Sequence, residues 1–237
     1  MINKKMTLME HFVELRRRFL WCVFIFFIAF IFGWYVAPGV QDFLTKPLLN
    51  VWNGQLLYNG LTDGLMIRLS LSTTVAMLVT LPVLLWHVWA FVAPGLKKNE
   101  RNFIWPLLIA SPLLFVVGAA FAFYVLFPSV FGFFIKLNQS SNVPVVIMPA
   151  VRDYLTFAIR LLKVFGIAFQ LPIVMIFLNR IGVLSRSRVV AMRRYAIILV
   201  VVVAAVLTPP DVVSQILLAI PMLGLFELSI LFMRRDD

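Results

Sequence analysis

Long stretches of hydrocarbon side chains alternate with short polar connections along this chain. Under a window of about nineteen residues, six apolar spans emerge, at about 19–36, 69–92, 104–127, 153–178, 195–207 and 212–233. The first closes on Trp34 and Tyr35, whose amphipathic rings suit a membrane–water interface. Pro82, Pro106, Pro112 and Pro221 fall inside spans. Proline is tolerated in a membrane helix when neighbours satisfy the freed carbonyl, so kinked and curved helices are expected. The fifth span is short, about 20 Å of helix against a ~30 Å hydrocarbon core. Bilayer thinning, a recessed turn or docking against another helix would relieve that mismatch, as would a turn borrowed by snorkelling from Met192–Arg194.

The connections carry their own signals. Between the first two spans, Pro38-Gly39, Pro47, Asn53-Gly54 and Asn59-Gly60 punctuate a loop from Ala37 to Arg68. Within it Val40, Phe43 and Leu44 recur at helical spacing, which predicts a short surface helix. Ala93–Phe103 reads as a charged turn, Pro128–Arg152 as a second long loop with a polar tip at 138–142, and Asn179–Arg194 as a basic loop. Thr208-Pro209-Pro210-Asp211 reads as a tight turn. Fifteen Lys and Arg residues lie on the side of the two termini and four on the other. The positive-inside asymmetry therefore predicts cytoplasmic termini. The expected fold is all-α and polytopic: six transmembrane helices in one domain over residues 1–237, with kinked helices and a short fifth span.

Composition excludes most other classes. With 62% hydrophobic and 13% charged residues and a mean hydropathy of +1.00, the chain cannot cover a water-exposed surface. A net charge of +11 in a soluble protein would suggest nucleic acid; here basic loops beside anionic headgroups are the expectation, and no nucleic-acid partner. Cys22 is the single cysteine, which leaves no intrachain disulfide and no cysteine-rich metal site. The first apolar run lacks a small-x-small exit, so no cleavable signal is expected. His11 and His87 are the only histidines, and no HExxH, GxSxG or P-loop spacing occurs. No catalytic residue, metal or cofactor is expected, and the chain does not read as an enzyme.

What remains is acid and base near apolar spans. In His11-Phe-Val-Glu-Leu-Arg-Arg-Arg18, Glu14 stands among three guanidinium groups about one turn before the first span. Glu100 lies at a matching depth before the third. If those helices approach, two carboxylates face one shallow site able to accept guanidinium hydrogen bonds bidentately. Read singly, each is a solvated interfacial residue. Arg160, Lys163, Gln170 and Glu227 lie within spans, where a charge usually faces a cavity or a partner. Arg160 and Lys163 share one face of the fourth span and either snorkel outward or serve such a site. Gln170 and Glu227 suggest a hydrated or hydrogen-bonded concavity. Asp211 can cap the helix starting at Val212.

Taken together, these stretches resemble the TatC family, the C subunit of the twin-arginine protein translocase. The matching motifs are His11–Arg18, Phe91-Val-Ala-Pro-Gly-Leu-Lys-Lys-Asn-Glu100-Arg101, Phe165-Gly-Ile-Ala-Phe-Gln170-Leu-Pro172 and Leu207-Thr-Pro-Pro-Asp211-Val-Val-Ser-Gln215 through Pro221. Phe121–Pro128 and Lys46-Pro47-Leu48 also fit. The resemblance implies a receptor for twin-arginine signal peptides of folded proteins at the cytoplasmic face of a cell inner (plasma) membrane, or of a mitochondrial inner membrane for an organelle-encoded copy. It implies a multimeric complex with single-span TatA-like and TatB-like partners and transport driven by the proton-motive force, without ATP. On the family pattern Glu14 and Glu100 bind the arginine pair, with Arg16, Phe91 and Leu96 in the same site; Pro47, Asp211 and Gln215 are supporting positions. The last two helices are where the family docks its partners. Family members commonly carry glutamate at the position of Gln170, so a protonation role there is not expected of this chain. Arg160 and Lys163 match no family feature. A rival reading is a secondary transporter with a midplane site of Lys163, Gln170 and Glu227, although such proteins favour inverted repeats and none is visible.

Overall fold

The computed structural model describes residues 8–51, 55–92, 104–139, 148–207 and 212–234. Apart from a single backbone bridge between Leu57 and Ala150, every regular element among them is helical. The helices are α1 (Leu8–Leu49), α2 (Asp63–Val92), α3 (Ile104–Phe121), a π-helical turn at Ala122–Leu126, α4 (Phe127–Gln139), α5 (Val151–Ala168), α6 (Leu171–Arg180), α7 (Arg186–Ala191), α8 (Arg193–Leu207) and α9 (Val212–Phe232). Among the described residues five stretches are long and apolar enough to cross a membrane: Phe12–Leu49, Asp63–Phe91, Ile109–Leu137, Val151–Arg180 and Gln215–Phe232. The expected fifth span is α8, whose 15 residues make only about 22 Å of helix, so it is not among the five. It begins two residues earlier than the apolar run, taking in Arg193 and Arg194.

Three boundaries differ from the apolar pattern. The helix does not stop at Trp34-Tyr35: α1 runs on through Pro38 to Leu49, absorbing the expected surface helix. Its apolar face simply continues, with Ala37, Leu44 and Leu48 all buried, and one proline removes a single hydrogen bond. The third span likewise does not end at Phe127. It passes into α4, and the N–H of Phe127 bonds the carbonyl of Ala122 across the π turn. Pro128 has no N–H to bond the carbonyl one turn behind it, and the wider turn accommodates that. Half of the expected second loop is therefore helix. The fourth span is broken at Phe169-Gln170. Pro172 cannot bond the Ala168 carbonyl, and the chain tightens there, with the N–H of Gln170 donating to the Ile167 carbonyl at 2.9 Å.

The chain divides into two compact units. The first comprises residues 1–40 and 68–112. Small side chains (Ala29 and Ala37 on α1, Ser72 and Ala76 on α2) are buried in it, as close helix packing requires. Arg68 donates from Nε to the Trp34 carbonyl at 3.1 Å and lies 4.7 Å from the centre of the Trp34 ring.

The second unit comprises residues 41–67 and 113–237. Phe115, Phe127, Leu155, Leu161 and Phe165 are almost fully buried within it. Phe43 stacks on Phe123 at 4.3 Å, and an aromatic row continues through Phe127 and Phe131 to Tyr154. Where α3 meets α5, two glycines allow the approach: a methyl group at 118 would lie 2.6 Å from the Phe165 carbonyl, and one at 166 would strike the Phe115 ring. α9 packs against α6 and α8, and Met175, Val189, Ile230 and Met233 form a small apolar cluster.

Polar contacts fasten one end of this unit. The N–H groups of Asn59 and Gly60 donate to Asp63 Oδ2 at 3.0 and 2.9 Å, and Arg152 Nη1 donates to Asp63 Oδ1 at 3.2 Å. Leu57 and Val151 extend the link through backbone bonds with Pro149 and Leu57. The Tyr154 hydroxyl donates to the Leu44 carbonyl.

Candidate functional site

Glu14 sits in the second turn of α1, where the helix passes from polar residues to the apolar run. Its neighbour four residues on, Arg18, shares its face of the helix. Arg18 Nε donates to Glu14 Oε1 at 2.9 Å, and Nη2 of the same guanidinium contacts the same oxygen. Arg18 Nη1 reaches the carbonyl of His87 on α2 at 3.4 Å. The pair is half-buried, with side-chain exposures of 22% for Glu14 and 23% for Arg18. Glu14 Oε2 is buried and has no hydrogen-bond partner among the described residues; Nδ1 of His87, the residue whose carbonyl Arg18 reaches, is in the same condition. Burying a carboxylate oxygen without a donor is costly. Glu14 Oε2 is therefore an acceptor with unused capacity, covered by the surrounding side chains.

Arg16 and Arg17 point elsewhere. With Val13, Leu20, Trp21 and Phe24 they line an open groove of ≈ 470 Å³ along α1. Phe91, in the last turn of α2, is half-buried and makes contacts of its own. Leu96 and Glu100 lie outside the described residues, as does the side chain of His11. The expected pairing of Glu14 with Glu100 thus has one described member.

The remaining candidates fall in the second unit. Pro47 is buried in the last turn of α1. Gln215 donates from Nε2 to the Val201 carbonyl at 3.1 Å, tying α9 to α8; Asp211 lies outside the described residues. Glu227 is not a lone intramembrane acid: Arg193, the first residue of α8, donates to it at 2.7 Å, and both side chains are about half exposed. Nearby, Arg186 Nε donates to the Ile230 carbonyl. Gln170 marks the break between α5 and α6, half-buried, its carbonyl accepting from the Val174 N–H. The polar fastening by Asp63, Arg152 and Tyr154 was not visible as a site in the sequence; its only local sign is the Asn59-Gly60 turn just ahead of an aspartate.

A helical chain with several membrane-length apolar helices and an unsatisfied carboxylate at the polar entry of the first is an integral membrane protein, with no catalytic constellation among the described residues. Comparison with known proteins identifies the class more closely. The family model described as Sec-independent protein translocase protein (TatC) matches residues 10–221. TatC of Haemophilus influenzae is 37% identical, with 100% of this chain and 93% of that protein covered. TatC of Escherichia coli K12 is 35% identical over 98% of this chain and 90% of its own. A crystal structure of the twin-arginine translocase receptor TatC superposes with a TM-score of 0.87 at 33% identity, covering 95% of this chain and 100% of that one.

The chain belongs to the TatC family. It is a subunit of the Sec-independent protein translocase, a component of protein transport and not an enzyme. That membership sets aside the small-solute transporter reading.

Proposed function

We propose that this chain is the receptor subunit that binds twin-arginine signal peptides of folded cargo at the cytoplasmic face of the inner membrane. The observation that carries the reading is Glu14: a half-buried carboxylate with one oxygen occupied by Arg18 and the other without a donor. An incoming guanidinium supplies the missing hydrogen bonds, and the planar fork of arginine suits two carboxylate oxygens better than a lysine ammonium does. Glu100, at a similar distance ahead of the third apolar run, supplies the second acceptor for the arginine pair. Arg16, in the groove along α1, extends the peptide-binding surface beyond Glu14, Phe91 and Leu96 belong to the same surface, and Pro47, Asp211 and Gln215 support the loops and the last helix pair.

The topology that goes with this reading is one domain of six spans with both termini cytoplasmic. It is supported by the fifteen-to-four distribution of Lys and Arg, and it counts α8 as a short span in thinned bilayer. Partners are TatA-like and TatB-like single-span subunits in a multimeric complex, with transport driven by the proton-motive force. The Gln215–Val201 and Arg193–Glu227 links hold α8 and α9 as a paired surface for docking them. The test is photocrosslinking of membrane-embedded protein to a signal peptide bearing Arg-Arg or Lys-Lys. Glu14→Gln and Glu100→Gln should each reduce crosslinking to the Arg-Arg peptide, with insertion unchanged. Undiminished crosslinking in the doubly substituted protein rejects the two-glutamate site.

A further inference from the structure

The end of α6, the short α7, the start of α8 and the end of α9 converge on one basic surface within the second unit. Gly182, at a φ of 77°, turns the chain between α6 and α7. From there α7 runs almost directly into α8: the N–H of Met192 donates to the Arg188 and Val189 carbonyls, and that of Ala196 to the Met192 carbonyl. Three bonds tie this segment to α9 and its end. Arg193 donates to Glu227 at 2.7 Å, Arg186 Nε to the Ile230 carbonyl at 3.1 Å, and the N–H of Arg234 to Asn179 Oδ1 at 2.7 Å. Met175, Val189, Ile230 and Met233 pack together in the same region, so the surface is fixed by its own frame.

Its composition is selective. Residues 179–195 contain five arginines, Arg180, Arg186, Arg188, Arg193 and Arg194, with no lysine and no acid. A topology signal is served equally by lysine and arginine, whereas the planar guanidinium fork grips phosphate oxygens bidentately. Glu227 is taken by Arg193; Asp236 and Asp237 lie outside the described residues. Arg188 is exposed and has no hydrogen bond, ion pair or ring contact among the described residues. Arg194 is exposed as well, and spends one N–H on the Tyr195 hydroxyl at 3.1 Å. The two are about 9 Å apart along the helical path, a gap that two long side chains can close on one headgroup.

Apolar side chains stand among these cations. Val183 is 60% exposed, Met192 48% and Tyr195 55%. Cations interleaved with exposed apolar groups and an amphipathic ring suit a membrane surface rather than a soluble polyanion. The level agrees. The apolar stretch Val151–Arg180 ends at the first of the arginines, and Gln215–Phe232 ends two residues before Arg234, so the guanidinium groups stand where the hydrocarbon gives way to headgroups.

We propose that this surface holds an anionic phospholipid, with its phosphodiester bound by Arg188 and Arg194 beside the exposed Val183, Met192 and Tyr195. The inference rests on the membrane-spanning reading of Val151–Arg180 and is independent of the peptide site at Glu14.

The test uses the full chain in phosphatidylcholine nanodiscs containing a minor share of phosphatidylglycerol. Native mass spectrometry counts the lipids that leave with the released protein. Phosphatidylglycerol should be enriched about tenfold over its share, the scale of one charge-assisted contact. Arg188→Gln combined with Arg194→Gln should erase the enrichment. Arg188→Lys with Arg194→Lys keeps the charge and should still lose most of it, and this pair carries the test if the glutamine pair fails to fold. Lys4→Gln with Lys5→Gln removes two charges from the N-terminal tail and should change nothing. Absence of enrichment, or enrichment that survives the double glutamine variant, overturns the proposal. Enrichment undiminished in the double lysine variant, or lost in the tail variant, also overturns it, because charge alone then gathers the lipid as at any basic loop. Excess glycerol phosphate should not displace the lipid; displacement makes a soluble phosphate the occupant and overturns the lipid assignment.

Discussion

Two carboxylate–arginine pairs in this molecule have opposite characters. Glu14 and Arg18 are four residues apart on one helix, each side chain about a fifth exposed, and one carboxylate oxygen lacks a donor. Asp63 and Arg152 are 89 positions apart. There the carboxylate is only 4% exposed, and both oxygens are bonded, to two backbone N–H groups and a guanidinium. The first pair is local and incomplete; the second is long-range and complete. A carboxylate whose acceptor capacity is filled by its own chain holds the fold together, and one with capacity left over can bind something else. Both are carboxylates beside an arginine; what separates their roles is how much of the acceptor capacity the chain itself fills.

Four substitutions probe that contrast. The largest effect is expected from Asp63→Ala, which leaves Arg152 and the N–H groups of Asn59 and Gly60 without their acceptor. Thermal unfolding in detergent should shift down further than for any other change here, while signal-peptide crosslinking per folded molecule stays at the wild-type level. A variant as stable as wild type would mean the second pair is not structural. Glu14→Gln should do the reverse: crosslinking to an Arg-Arg peptide falls at least tenfold, which is about 1.4 kcal/mol, with the melting temperature little changed because the lost helix-surface ion pair is weak. A large drop in melting temperature would erase the distinction between the two sites. Tyr154→Phe removes one hydrogen bond from the structural end and should cost about 1 kcal/mol, a fall of roughly 2–4 °C in a chain of this size, measurable by the same melting curves. The smallest effect is expected from Arg18→Met. It frees Glu14 Oε1 for an incoming guanidinium, and peptide affinity measured by titration should rise about two- to fourfold, the scale of a partly exposed ion pair. A fall instead would recast Arg18 as the residue that aims the carboxylate.

Much of the helical layout was legible from the apolar runs, because hydrocarbon thickness dictates their length. The boundaries were less so. Pro38 and Pro128 look like stops by local rule, but the buried face of α1 continues past the first and a π turn absorbs the second. Pro172 was the reverse case: a proline inside an apolar run that does break the helix, at Phe169-Gln170. Glu14 could be located by its place before the first span, but the ligand proposed for it comes from resemblance alone. The Tyr154–Leu44 and Arg152–Asp63 bonds had no local signature at all, since their partners are 110 and 89 residues apart.

The crossing of α3 and α5 has a consequence for how such a sequence can drift over generations. Its two glycines are constrained by different things. What stands opposite position 118 is the carbonyl of residue 165, a group every amino acid carries, so no change elsewhere makes room and the glycine is fixed as long as the helices cross there. What stands opposite position 166 is the Phe115 ring, which a smaller residue can replace. Lineages can therefore exchange Gly166 for alanine together with Phe115 for leucine. One glycine of the crossing is permanent and the other is negotiable only in a pair.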